Sequence, residues 1–448
     1  MDRLLLELTL VLAVGLGVVL LYRPVSLAGA PAGSPRPERE AAPGTWLGQG
    51  PDGPVSLSDE AVNAHVLVLG ATGSGKTTTL LRFMSSAVER GVGLIVVDGK
   101  GDPGLARRLG ALAEAGGRPF LHFDMTRPDQ SVPYNPLRHG SSLELRDRLM
   151  ECSDWSEPHY KFAAARYLGE GIALVRAAGQ GRDLPSLVRA LEPHQLALTA
   201  RQLTSKEERL AVNDLIDRCG REAAGLLNRL AVVAPRELAA LLREEPESID
   251  LGAVWQKGEV ALFSLDTLGC PEQARLVGRL FVLDLKAAAS RMLSGGRPVF
   301  VILDEFGVLA GREAADLLNK SRASGMHLVL AVQELADLRA GGGQSLLEQV
   351  LGNTNVKIVH RQDVPASADL LAGCIGSREG FRLHLRPDAA GSWQPGAVYP
   401  DRPYWIEPDE IKRLPQGEAV VLVKHPAFQV RRVRIAAGGG DHAPGLAG

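Results

Sequence analysis

The chain has 448 residues, 45% of them hydrophobic and 23% charged, which is enough for two or three packed domains and too apolar for broad disorder. Fifty Lys and Arg stand against 52 Asp and Glu, a net charge of −2, so no global basic excess points to nucleic acid and no acidic excess to a solvating tail. The four cysteines, Cys152, Cys219, Cys270 and Cys374, lie far apart, with no CxxC pair and no His at zinc-ligand spacing; this argues against a disulfide scaffold or a zinc module and for reduced thiols in a cytosolic body.

Leu4 to Leu21 is an apolar run with one charge, Glu7, long enough to nearly span a hydrocarbon core of about 30 Å, and it predicts one membrane helix. A secretory signal peptide with cleavage near Ala28-Gly29-Ala30 is the rival, but the run exceeds the usual apolar stretch of about 7–15 residues. Arg23, Arg36 and Arg39 follow the run and only Arg3 precedes it, so the positive-inside tendency places the body in the cytoplasm of a single-pass inner-membrane protein. Residues 1–23 are thus expected to be an anchor. Residues 24–58, rich in Pro, Gly, Ala and Ser, are expected to be a linker.

HVLVLG (65–70), GLIVVD (93–98) and PFLHFD (119–124) read as buried strands separated by helical stretches, an alternation that predicts parallel βαβ units over 59–139. From 140 to 250 the apolar spacing turns helical, as in YKFAAARYLGEGIALVRAA, and predicts an inserted all-helical domain. Strand patterns return at EVALFSLD, PVFVILDEF, MHLVLAVQ and NVKIVHR, so the α/β core resumes over 251–436. It ends in a hairpin at 418–435, followed by a tail at 437–448 with nothing to pack.

Gly70 to Thr77 reads GATGSGKT and fits the phosphate loop GxxxxGK[ST], between a predicted strand and a predicted helix as its mechanism requires. Glycines let backbone N–H groups turn in around the β- and γ-phosphates, Lys76 neutralises their charge, and the Thr77 hydroxyl can hold Mg2+. The candidate ATP-binding residues are Gly70, Thr72, Gly73, Ser74, Gly75, Lys76, Thr77 and Thr78. The second half of the site is VFVILDEF, where an apolar strand drives Asp304 and Glu305 to a sheet edge; Asp304 can orient Mg2+, partly through water, and Glu305 can polarise the attacking water. Together the two motifs favour hydrolysis of a nucleoside triphosphate.

Leu293-Ser294-Gly295-Gly296-Arg297 imitates the signature loop of ABC transporter ATPases, but that loop opens a helix, and only Pro298 separates Arg297 from the strand at Val299. It reads as a turn. Gln333 ends the next strand, where RecA-like ATPases place a γ-phosphate sensor. Arg322, on the turn before that strand, is the candidate arginine finger for a neighbouring subunit, with Arg361 competing for the role.

These motifs, in this order, resemble the conjugative coupling proteins of type IV secretion, the TraD/TraG-like branch of the FtsK/HerA motor ATPases. The match runs from about 60 to 435 and includes Asp98-Gly99-Lys100-Gly101-Asp102, Tyr134-Asn135-Pro136-Leu137, FSLD with PEQARLVGRLFVLDL, ILDEFG, SRASGMHLVLAVQ and IEPDEIKRLPQGEAVVLV. The resemblance implies a RecA-like P-loop core forming a homo-hexameric ring, with the helical domain recruiting substrate and an anchor in the inner membrane. By that likeness, ATP hydrolysis moves single-stranded DNA with its attached relaxase to the secretion channel.

The chain departs from the pattern in three respects. It has one expected membrane helix where many coupling proteins have two. A long acidic C-terminal tail for docking relaxosome partners is absent from this sequence. Residues 141–250 carry 15 basic and 18 acidic side chains, so no electrostatic footprint for DNA appears there. Two further functions therefore stand beside DNA translocation: a motor for protein cargo, and a nucleotide-gated receptor that collects cargo with little turnover of its own.

Overall fold

The structure is a computed structural model and describes residues 44–153, 155, 157–233, 235–293, 297–309, 312–387 and 393–437. The expected membrane helix at 4–21, the first part of the expected linker, Ser294-Gly295-Gly296 and the tail from 438 lie outside the described residues. Among the described residues no helix is long and apolar enough to cross a membrane.

The chain opens with β1 (Gly44–Gly50), β2 (Gly53–Ser58), α1 (Asp59–Asn63), β3 (Val66–Leu69), α2 (Lys76–Glu89), β4 (Gly93–Asp98), α3 (Pro103–Ala115) and β5 (Phe120–Asp124). Helices α4 (Ser142–Met150), α5 (Pro158–Ala177), α6 (Leu184–Ala190), α7 (Pro193–Ala200), α8 (Lys206–Leu230) and α9 (Arg236–Leu241) then run without an intervening strand. After α10 (Leu251–Lys257) come β6 (Val260–Ser264), α11 (Pro271–Arg291), β7 (Val299–Asp304), α12 (Phe306–Leu309), α13 (Arg312–Lys320) and β8 (Met326–Val332). The last elements are α14 (Leu335–Asn353), β9 (Val356–Val359), α15 (Pro365–Ile375), β10 (Gly380–Pro387), β11 (Trp393–Asp401), α16 (Pro408–Lys412), β12 (Glu418–Val423) and β13 (Gln429–Ile435).

Eleven strands form one sheet in the order β2-β1-β13-β12-β9-β3-β8-β7-β4-β6-β5. The seven from β9 to β5 are parallel, and β12, β13, β1 and β2 continue the sheet antiparallel. Residues 44–58 therefore correct the expected linker, because β1 and β2 pair with each other and β1 with β13. Their Gly and Pro content hides the alternation that buries Leu47, Val55 and Leu57. Strands β10 and β11 pair with each other in a separate two-stranded sheet, which the sequence pattern does not predict.

Successive residues of the parallel strands point to opposite faces. Leu67, Leu69, Ile95 and Val97 join the apolar core shared with α4 to α9, whereas Val66, Val68, Leu94 and Val96 join a second core beneath α2 and α3. Burial on both faces explains why these strands read as unbroken apolar runs. The helical segment is pinned where it leaves and re-enters the sheet: Ile249 N donates to Pro133 O at 2.8 Å, and Tyr134 N to Leu241 O at 2.8 Å. Tyr134 also donates its hydroxyl to buried Asp284 on α11 at 2.9 Å, and Asn135 Nδ2 donates to Arg182 O and Glu244 Oε2. The Tyr-Asn-Pro-Leu motif is thus a latch between the sheet and the helices.

Candidate active site

Strand order builds the site. Strand β8 lies between β3, which leads into the phosphate loop, and β7, which ends at Asp304. Residues that follow all three strands therefore meet at one edge of the sheet, as ligand sites do in open α/β sheets.

The loop from Gly70 to Gly75 needs its glycines for shape. Gly73 has φ +74° and Gly75 φ +117°, and a Cβ on Gly70 would lie 2.3 Å from Ser74 Oγ and 2.7 Å from His360 Cβ. Helix α2 begins at Lys76 with no side-chain cap, so its first backbone N–H groups are left for an anion at the positive end of the helix. Thr77 and Thr78 follow in the first turn, and Thr72 is exposed on the loop. Lys76 Nζ folds back to donate to Gly70 O at 2.5 Å. Burial lowers the Lys76 ammonium below its ordinary range, against the raising effect of Asp304 and Glu305.

The loop rests on a buried support. His360, fully enclosed after β9, has Nδ1 2.9 Å from Glu418 O and Nε2 2.8 Å from Thr79 Oγ1. The carbonyl requires a proton on Nδ1, which leaves Nε2 to accept from Thr79. Burial pushes the His360 pKa down to about 4, so the ring is neutral. Gly417 N donates to Ser74 O at 2.9 Å, and Ala71 N to Arg361 O at 2.9 Å.

Asp304 and Glu305 emerge opposite the loop. Burial, then the charges of Glu305 and Asp98, raise the Asp304 pKa to about 6. Gln333 joins the halves: its Oε1 accepts from Thr72 Oγ1 at 3.1 Å, and its Nε2 donates to Glu305 Oε1 at 2.5 Å. Lys100 Nζ pairs with the same Glu305 oxygen. Burial works against the Lys100 charge, but the hydrogen bond and charge of Glu305 outweigh it and raise its pKa.

The structure thus assembles Gly70, Thr72, Gly73, Ser74, Gly75, Lys76, Thr77, Thr78, Asp304, Glu305 and Gln333 at one edge. Arg322 is not among them. It is exposed on the turn before β8, at the opposite edge, near His65. Arg361 lies at the loop edge, its Nε donating to Asp363 at 3.0 Å. Sequence reasoning gave no role to Lys100 or His360. Lys100 comes two residues after β4 and His360 directly after β9, the one available signal, but only the strand order brings them to this loop.

Among the described residues no group of three or more His, Cys, Asp or Glu could cage a metal ion. One hydroxyl and one carboxylate, Thr77 and Asp304, suit Mg2+, which takes few protein oxygens and completes its shell with phosphate and water. The uncapped helix and turned-in loop suit a polyphosphate.

Two family models match the chain: "TraM recognition site of TraD and TraG" over residues 298–416, and "Helicase HerA, central domain" over 43–132. The type 4 coupling protein DotL of Legionella pneumophila is 34% identical over 101 residues, which covers 20% of this chain and 13% of DotL. The fold is similar to that of the bacterial conjugative coupling protein TrwB, with a TM-score of 0.61, 16% identity and 90% of each chain covered. VirB4 of Thermoanaerobacter pseudethanolicus is similar with a TM-score of 0.57 and 15% identity, over 89% of this chain and 98% of that one. Other TrwB structures hold ADP with Mg2+, or a non-hydrolysable ATP analogue. In the order of the motifs, the two matched segments and the fold, the chain is similar to the TraD/TraG-like coupling proteins of the FtsK/HerA/VirB4 superfamily of P-loop ATPases.

Proposed function

We propose that the protein is a membrane-anchored motor that hydrolyses ATP with Mg2+ and moves single-stranded DNA, with its attached relaxase, to a type IV secretion channel during conjugation. The observation that carries the ATPase reading is the Thr72–Gln333–Glu305 bridge, which ties the phosphate loop to the carboxylate best placed to polarise water. Magnesium ion would supply charge neutralisation between the β- and γ-phosphates. Lys76 would bind the phosphates, Thr77 and Asp304 would hold the metal and its water, and Glu305 would accept the proton of the attacking water. Gln333 senses the γ-phosphate through the same amide that touches Thr72.

The cargo and assembly rest on likeness. TrwB is described as a bacterial conjugative coupling protein, and the model matching 298–416 as a TraM recognition site, which supports the binding of a partner protein; the relaxase, the channel and a ring of six copies rest on the family resemblance alone. Protein cargo is the second reading, favoured by the 15 basic and 18 acidic side chains at 141–250.

The test is turnover of the full chain with and without single-stranded DNA. DNA is expected to stimulate hydrolysis with little sequence preference, and the stimulation to fall as salt rises, because phosphate contacts dominate such binding. Lys76→Ala is expected to lose nucleotide handling, and Glu305→Gln to bind ATP while turning over roughly 10²–10⁴-fold more slowly. Near-normal turnover in Glu305→Gln would move the catalytic carboxylate elsewhere. Equal rates with and without DNA in a demonstrated ring would favour protein cargo, and cargo binding with negligible turnover the receptor.

A further inference from the structure

Among the described residues only His65 and Glu305 are non-glycines with positive φ, and Glu305, at +56°, lies in the candidate active site. A strained backbone at such a place needs neighbours that hold it. Gln333 Nε2 and Lys100 Nζ both engage Oε1 of Glu305, and Oε2 takes no hydrogen bond from the described residues. One oxygen is anchored twice and the other is left open.

The turn that carries Lys100 is itself fixed against Glu305. Strands β4 and β7 are parallel neighbours in which Asp98 stands beside Asp304. Asp98 Oδ1 accepts from Lys100 N at 2.9 Å and its Oδ2 from Asp102 N at 2.6 Å. Thr267 Oγ1 donates to Gly99 O at 2.6 Å, tying the turn to the loop after β6. A Cβ on Gly99 would lie 2.9 Å from Glu305 Cβ, so glycine is what lets the turn lie this close. Lys100 is half exposed, and an ion pair of that kind adds little to stability. Its use is better sought in where it holds the carboxylate.

Building on the ATPase reading above, we propose that Lys100 is a positioning residue for hydrolysis: with Gln333 it fixes Oε1 of Glu305, so that Oε2 faces the attacking water. Water's oxygen bonds to the γ-phosphorus as the bond from that phosphorus to the β–γ bridging oxygen breaks. The water proton passes to Oε2, and the bridging electron pair leaves with ADP. Lys100 acts through Glu305 and does not itself grip phosphate.

The experiment compares full-length wild type, Lys100→Met, Lys100→Arg, Glu305→Gln and the Lys100→Met/Glu305→Gln double variant. ATP turnover and binding of a fluorescent ATP analogue are both measured. Lys100→Met is expected to lower kcat roughly 10- to 100-fold, a part of what a positioned general base supplies, with KM and analogue affinity held within about twofold. Lys100→Arg should recover part of the rate, and Lys100→Met should cost nothing further in the Glu305→Gln background. Unchanged or faster turnover in Lys100→Met, a matching loss of analogue affinity, or losses that multiply in the double variant would overturn the proposal. Those outcomes with an active wild type sink the Lys100 role alone; an assembled wild type that binds the analogue and never hydrolyses ATP sinks the ATPase reading beneath it.

Discussion

Gln333 donates its amide N–H to Glu305 Oε1 across 2.5 Å while its own Oε1 accepts from the Thr72 hydroxyl, so one side chain touches both halves of the nucleotide site. This follows from topology. Gln333 leaves β8, the strand between those that carry the phosphate loop and the two carboxylates. Gln333→Ala removes the bridge without adding charge and is expected to lower kcat about 10²-fold or more, in the range seen when one preorganised donor is lost. Analogue binding should persist. Steady-state kinetics with a binding titration checks this, and an unchanged kcat would remove Gln333 from the reaction.

The raised Asp304 pKa has a sign that can be tested without nucleotide. Folding lifts this carboxyl from 3.8 to about 6, chiefly through burial and then through Glu305 and Asp98, so the native state holds the proton more tightly than the unfolded state. The contribution to stability is fully present below the unfolded value and is lost as pH rises through about 6. At about pH 7.5 the ionised group is a cost, and Asp304→Asn removes it. Metal-free, nucleotide-free Asp304→Asn is therefore expected to melt roughly 2–4 °C above wild type, equivalent to about 2–3 kcal/mol across a chain of this length. The gap should close as pH falls from 6 toward 4. Equal melting at pH 7.5 would mean that the native state relieves the charge in another way.

The phosphate loop, the two carboxylates and the sensor were legible because each ends an apolar run that can only be a buried strand. GATGSGKT, LDEF and LAVQ sit at three strand ends, and local pattern finds all three. Lys100 and His360 occupy equivalent positions but act through strand order, which a single sequence does not encode locally. Strands β1 and β2 were hidden for another reason: with glycines at 44, 48, 50 and 53 and Pro54, their three apolar contacts read as linker. They become visible as strands only when β13 supplies the partner edge.

Tyr134 tests the latch to the helical segment. Its hydroxyl donates to Asp284 Oδ2, and Arg148 Nη1 stands 3.2 Å from the other carboxylate oxygen, all three side chains being buried. Tyr134→Phe keeps the ring among Phe123, Phe263 and Phe281 and deletes one donor to a buried carboxylate. A group left short of a partner costs about 1–3 kcal/mol. Denaturant unfolding should show that loss with the slope unchanged. A loss confined to the helical segment, seen by hydrogen exchange, would show that the latch holds the helices and not the whole fold.

Arg322 remains the candidate for an arginine that works between subunits. Strand β8 separates it from Gln333, and its seven residues span about 20 Å, so it cannot serve the phosphate loop of its own chain. Its exposed position leaves it available to a neighbour in a ring. Arg322→Ala is expected to bind ATP and hydrolyse it roughly 10³- to 10⁵-fold more slowly, the scale of a lost finger, and Lys76→Ala to be inactive with its arginine intact. Mixed in one ring, a Lys76→Ala subunit lends its Arg322 to the complete phosphate loop of an Arg322→Ala neighbour, so activity should partly return and peak at an intermediate ratio. An arginine acting within its own chain gives no such peak. If native electrophoresis confirms mixed rings and activity stays at the level of the separate variants at every ratio, Arg322 is withdrawn. Arg361, which sits at the loop edge with its carbonyl bonded to Ala71 N, is then tested in the same mixture.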